Sequence, residues 1–157
     1  MFWIVAALVV VLDQLTKALV RSHMTLDQTI PVFGRLAGFT YIQNTGAAFS
    51  ILEGRKLFLI LLTCAIMAAL CAYYLLMRKK MLAAERVALG LIFGGGIGNL
   101  ICRIRLGFVT DFINIHIIPV FNVADMGVTI GCVLLFLTIL VLEPRARKRG
   151  TLPGAEG

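Results

Sequence analysis

Leu57-Phe-Leu-Ile-Leu-Leu-Thr-Cys-Ala-Ile-Met-Ala-Ala-Leu-Cys-Ala-Tyr-Tyr-Leu-Leu-Met77 is a run of 21 residues without a charge. A helix that crosses a bilayer needs about 20 mainly apolar residues to span a hydrocarbon core ~30 Å thick. Outward from this stretch the pattern repeats. Residues 87–102 give 16 uncharged positions and residues 126–142 give 17. Near the N-terminus, Phe2 to Leu12 is uncharged, Asp13 interrupts, and no further charge occurs until Lys17. The runs predict a mainly α membrane protein with four transmembrane helices, at about 2–20, 57–77, 87–105 and 123–142. Residues 1–157 then form a single integral membrane domain. Composition agrees: 60% of the 157 residues are hydrophobic and mean hydropathy is +0.96, against roughly 45–50% apolar residues in a soluble domain.

The first run is expected to be a retained helix. It lacks a basic leading region and a small-x-small cleavage site, and it carries Asp13 and Lys17. Net charge is +7, and its distribution orients the chain. Arg78, Lys79, Lys80 and Arg86 crowd the loop 78–86, and Arg145, Arg147, Lys148 and Arg149 the tail 143–157. Segment 21–56 has only Arg21, Arg35, Arg55 and Lys56. Basic residues accumulate on the cytoplasmic side, so both termini and loop 78–86 are expected inside, and segments 21–56 and 106–121 outside. The basic balance suits anionic lipid as a partner. It argues against nucleic acid, because the charges flank spans instead of forming one face.

Segment 21–56 is too long for a simple connection. Its β-branched and aromatic residues over 29–44, bounded by Pro31, Gly34 and Gly38, predict a small extracytoplasmic β-sheet between helices 1 and 2. In the third span, Gly90, Gly94 and Gly98 form a four-residue repeat that admits a close neighbouring helix. The second span, with no ionisable residue, reads as a lipid-facing scaffold. Cys64, Cys71, Cys102 and Cys132 all fall in spans and are expected to be small packing residues; without a Cys-x-x-Cys pair, no metal site is expected. His116, in the alternating Ile115-His116-Ile117, reads as an outward-facing strand residue.

Depth is the first indication of chemistry. Asp13, Asn99, Arg103, Asp111 and Asp125 map to the outer half of the bilayer or its outer interface, and Asn44 and Asn122 lie in segments joined to that face. Ionisable groups at membrane depth usually face the bundle interior and serve function. Eight residues are acidic. Glu85, Glu143 and Glu156 fall on the inner side, and Asp27 and Glu53 have basic or polar neighbours. Asp13 and Lys17, four apart on one helix face, are placed to form an ion pair. Asp111 and Asp125 remain, each among apolar neighbours, with no basic residue between Arg105 and Arg145. Two carboxylates close together cannot both ionise easily, so one pKa rises, and the pair then offers both a base and an acid. Three readings of the pair stay open on this evidence: catalysis, helix capping (Asp125 is expected at an N-cap position), and proton or ion handling as in a small transporter.

These residues resemble the boxes of the lipoprotein signal peptidases (signal peptidase II), aspartic proteases of the bacterial inner membrane. Asp13-Gln14-x-Thr16-Lys17 is similar to the first box, and Asn44-Thr-Gly46-Ala47-Ala48-Phe49-Ser50 to the second. Gly94-Gly95-x-x-Gly98-Asn99-x-x-x-Arg103 is similar to the third. Val109-Thr-Asp111-Phe112 and Phe121-Asn122-x-Ala124-Asp125 resemble the last two. The five occur in order over nearly the whole chain. The resemblance implies that Asp111 and Asp125 form a catalytic dyad without a metal or other cofactor. It implies cleavage of a signal peptide from prolipoproteins, just before a cysteine carrying diacylglycerol. It also implies substrate-binding or supporting roles for Asp13, Lys17, Asn44, Gly46, Asn99, Arg103 and Asn122. A monomer in the cell inner membrane is expected, with its active site at the extracytoplasmic side and membrane lipid around it. One position departs from the pattern: Cys102 stands before Arg103 where the family usually has Asp. This removes a carboxylate partner from basic groups such as Arg103, at a cost in stability or turnover unless another acid such as Asp13 compensates.

Overall fold

A computed structural model of the chain describes residues 1–34, 36–46, 55–142 and 144. Ala47 to Ser50 of the second box, Glu53, Glu143 and the four basic residues of the tail lie outside the described residues. Four helices account for most of the structure: α1 (Phe2–His23), α2 (Lys56–Met77), α3 (Ala83–Arg105) and α4 (Val123–Leu137, continued by a π-helical segment at Thr138–Leu142). Each is long and apolar enough to cross a membrane. At 22 residues, α1 and α2 are about 33 Å long.

α3 is the central helix. Over half of its apolar window is buried (56%), against 17% for α2 and for α4. Glycine explains its position. A Cβ on Gly94 would lie 2.7 Å from the Ala6 carbonyl oxygen and 2.8 Å from Val9 Cβ, so α1 and α3 approach closely only because those atoms are missing. Gly95, on another face, meets the Ala124 carbonyl of α4 in the same way. α2 buries only Leu59, Met67 and Tyr74, in keeping with the expected lipid-facing scaffold. At the end of the bundle where α1 begins, Phe2 stacks on Tyr74 with ring centroids 4.0 Å apart, and Met81 and Leu89 complete that cluster.

At the opposite end, where α1 and α3 finish, lies a three-stranded antiparallel sheet in the order β1 (Thr29–Pro31), β2 (Gly38–Asn44), β3 (Val109–Asn114). The first two strands arise from the expected segment. The third does not: it comes from the α3–α4 connection, so the sheet is not confined to the segment between the first two helices. β3 has no apolar–polar alternation because Val109, Thr110, Asp111 and Phe112 are all buried, and alternation marks only a strand with one face in water. His116 also departs from its expectation. It lies beyond β3 in an exposed turn at φ 59°, with its amide N–H donating to Asn114 Oδ1 at 2.9 Å. This turn reverses the chain. Phe121 then pairs with Ile113 in an antiparallel bridge, and α4 starts next to β3.

Candidate active site

β3 and the start of α4 carry the two aspartates. The register between β2 and β3 shifts between Phe39 and Ile42. Two residues of β2, Thr40 and Tyr41, therefore stand opposite Phe112 alone. Such a bulge redirects the side chains beyond it; here it sets Asp111 opposite Ile42 and Asn44 opposite Val109. From this position Asn44 Nδ2 donates to Asp111 Oδ2 at 2.9 Å. The other oxygen, Oδ1, accepts from Asn122 Nδ2 at 2.6 Å.

Asn122 is the N-cap of α4. Its Oδ1 accepts the Asp125 N–H at 3.0 Å, and its own N–H donates to Asp125 Oδ2 at 3.1 Å. This reciprocal pair is a capping box: the N-cap position expected for Asp125 belongs to Asn122, and Asp125 supports the cap from the third helical position. The cap occupies only one carboxylate oxygen. The other, Oδ1, accepts from Asn99 Nδ2 at 2.8 Å. One fully buried asparagine thus touches both acids, by its side chain on one side and its backbone on the other.

Three amides serve the two carboxylates, and each has its carbonyl end engaged elsewhere. Asn44 Oδ1 accepts the Gly46 N–H at 3.0 Å. Asn99 Oδ1 accepts from Lys17 Nζ at 2.7 Å and from Asn122 Nδ2 at 3.2 Å. Asn122 Oδ1 accepts from Asp125 as above. With its oxygen tied to a donor, each amide presents its NH2 group to an acid, which is the orientation that binds a carboxylate.

Behind this layer, Lys17 and Asp13 form a fully buried ion pair of 2.8 Å, the one salt bridge among the described residues. Asp13 Oδ1 also accepts the Ala124 N–H at 3.0 Å, and Gln14 Nε2 donates to Oδ2 at 3.0 Å. Asp13 therefore joins α1 to the first turn of α4 and is not a partner for Arg103. Arg103 Nη2 instead donates to the Gly46 carbonyl at 3.2 Å, beside Asn44. Cys102 is buried, with its sulfur 3.7 Å from Gln14 Nε2. All nine residues singled out in the sequence come together at this end of the bundle. Sequence reasoning passed over Gln14 and the buried Thr110, whose hydroxyl accepts from Arg21 Nη1 at 3.1 Å. Each adjoins a singled-out aspartate within its box, Gln14 beside Asp13 and Thr110 beside Asp111, which was the available signal.

Burial pushes the Asp111 carboxyl up to about 6. The hydrogen bonds from Asn44 and Asn122 and the charge of Lys17 oppose this, while the charge of Asp125 adds to it. Asp111 therefore titrates close to neutrality, as a group that exchanges protons requires. A cavity of about 430 Å³ opens beside it, lined by Ile42, Asn44, Gly46, His116 and Pro119 among others. Among the described residues no group of three or more His, Cys, Asp or Glu side chains is gathered to hold a metal ion.

Fold and site define a multi-pass helical membrane protein with an amide-held aspartate pair at one end of its bundle. The comparisons narrow this class. Residues 5–141 match the family described as signal peptidase (SPase) II. The lipoprotein signal peptidase of Halothermothrix orenii is 43% identical over 137 residues, covering 87% of this chain and 93% of that protein. That of Bacillus subtilis is 38% identical over 152 residues, covering 94% and 98%. A bacterial membrane enzyme solved by the in meso method at 2.3 Å superposes with a TM-score of 0.81 at 34% identity, covering 92% of this chain and 89% of that one. The chain belongs to the signal peptidase II family of aspartic peptidases.

Proposed function

We propose that this chain is an intramembrane aspartic endopeptidase that removes the signal peptide from diacylglyceryl-modified prolipoproteins, cutting just before the lipidated cysteine. The observation that carries the reading is Asn122, which hydrogen-bonds Asp111 through its side chain and Asp125 through its backbone N–H. A pair so joined can hold one proton between its members. The ionised aspartate takes a proton from water, and the resulting hydroxide equivalent attacks the scissile carbonyl carbon. The protonated aspartate donates a hydrogen bond to the carbonyl oxygen. Collapse of the tetrahedral intermediate breaks the C–N bond, and a proton passes to the leaving amine of the cysteine.

Asn44, Asn99 and Asn122 hold the carboxylates in this reading, with Lys17 and Asp13 behind Asn99, and Arg103 and Gly46 behind Asn44. The peptide lies along the cavity beside Asp111, and the diacylglycerol enters laterally between helices. The whole chain acts as one membrane domain and as a monomer in the bacterial inner membrane. Both termini are cytoplasmic, and the sheet and site are extracytoplasmic. The test is gel-shift cleavage of a lipidated precursor. Asp111→Asn and Asp125→Asn are expected to insert normally and to abolish cleavage. Turnover retained in either variant would refute the dyad.

A further inference from the structure

The basic residues at the sheet end of the bundle are not all absorbed by the site. α1 and α3 run in the same direction, and each carries arginine in its last turn: Arg21 on α1, Arg103 and Arg105 on α3. Arg103 is engaged by Gly46. Arg21 uses one nitrogen, Nη1, on Thr110. Arg105 makes no side-chain hydrogen bond or ion pair among the described residues. Both Arg21 and Arg105 line a cleft of about 80 Å³ between α1 and α3, with Gln14, Ile101, Cys102 and Leu106 as its other walls. Among the described residues no carboxylate lines it.

We propose that this cleft binds the phosphate of a membrane phospholipid. Three observations support it. The chemistry is that of an anion site, because two guanidiniums line it with no acid beside them among the described residues, and their planar donor arrays suit phosphate oxygens. The size fits: 80 Å³ is room for about two or three waters, or for one phosphate in their place. The depth fits as well. Both arginines are in the last turns of apolar spans, at the level where a bilayer places its headgroups, and the surface leading away from them is apolar and exposed at Leu15, Leu19 and Ile104. Acyl chains attached to a phosphate in the cleft would lie along that surface. The cleft is distinct from the cavity beside Asp111, with which it has no lining residue in common.

The experiment uses the full chain in neutral maltoside micelles, with thermal unfolding followed as phosphatidylglycerol, diacylglycerol or inorganic phosphate is added. A ligand at several times its Kd raises the midpoint of a chain of this size by about 2–4 °C. Phosphatidylglycerol is expected to produce this rise. Diacylglycerol, which has the chains without the phosphate, and inorganic phosphate, which lacks the chains, are not. Arg105→Gln should cancel the rise while leaving the unliganded midpoint nearly unchanged, since the Arg105 side chain has no hydrogen bond or ion pair among the described residues. Arg78→Gln, at the opposite end of the bundle, should keep it. An undiminished rise in Arg105→Gln, or equal losses in both variants, would reduce the effect to general charge attraction and overturn the proposal. An equal rise with inorganic phosphate would assign the cleft to a free anion and overturn its lipid occupant.

Discussion

Asn122 serves both as the cap of α4 and as the donor to Asp111, and these roles can be separated. Serine at an N-cap accepts the N–H of a residue in the first turn nearly as well as asparagine, whereas alanine does not. Neither can replace the Nδ2 donor that lies 2.6 Å from Asp111 Oδ1. Asn122→Ser and Asn122→Ala thus share the loss of the donor and differ by the cap, worth about 1 kcal/mol, or about 2–4 °C in the thermal midpoint. A hydrogen bond to a charged group contributes about 1.5–3 kcal/mol. Here it favours the ionised form of Asp111, whose pKa burial has pushed up to about 6. Removing it favours the protonated form. At 1.36 kcal/mol per pKa unit, its loss raises the pKa of Asp111 further by about 1–2 units, and the midpoint for losing the pair's remaining proton moves to a correspondingly higher pH.

A dyad works with one proton, so its activity falls as pH rises through that midpoint. The profile of kcat/KM reports the free enzyme, and its limbs belong to the pair and not to one residue. Both variants should lose about 10- to 100-fold in kcat/KM at low pH, where the lost bond no longer positions Asp111. In both, the alkaline limb should move to higher pH than in the parent, and by a similar amount. The assay is cleavage of a lipidated precursor from pH 4.5 to about 9, beside thermal unfolding of each variant. Variants that lose stability in the expected order while their alkaline limb stays in place would show that Asn122 only caps α4, and the proton-sharing argument would fail.

Two further outcomes follow from the buried charges. Lys17→Met leaves Asp13 fully buried with no cation and removes the donor that orients Asn99. Breaking one side of a buried pair costs about 3–5 kcal/mol, and the double variant Asp13→Asn/Lys17→Met should recover part of it; a midpoint unchanged in the single variant would contradict the pairing. Asp111 has its folded pKa raised from 3.8 to about 6. The folded state therefore binds the proton more tightly, and stability falls as pH rises through that window. Asp111→Asn has no charge to bury but sets its own NH2 against one of two amide donors, so its stability relative to the parent should rise between pH 4 and pH 7 by up to about 3 kcal/mol. An equal difference at both pH values would mean that burial of the charge is not the cause.

The sequence by itself determined the membrane class and the positions of the spans, because bilayer thickness demands a length of apolar chain that a count of residues reveals. It also singled out Asp111 and Asp125, since a carboxylate among apolar neighbours with no nearby base in the chain stands out by elimination. The i,i+4 spacing of Asp13 and Lys17 likewise shows as an ion pair on one helix face. What tertiary structure alone decided is how these parts meet. β3 carries no periodicity because it is buried on both faces, so its membership of the sheet depends on β2 lying beside it. The bulge opposite Phe112 and the reversal at His116 place Asp111 next to α4, and neither can be read from local propensity. The amide orientation of Asn99 depends on Lys17 of another helix, that of Asn122 on the turn of a helix cap, and that of Asn44 on the local turn to Gly46. A hydrogen bond between residues 67 or 82 positions apart has no local signature, and those bonds hold Asp111 and orient Asn99 around the pair that Asn122 joins.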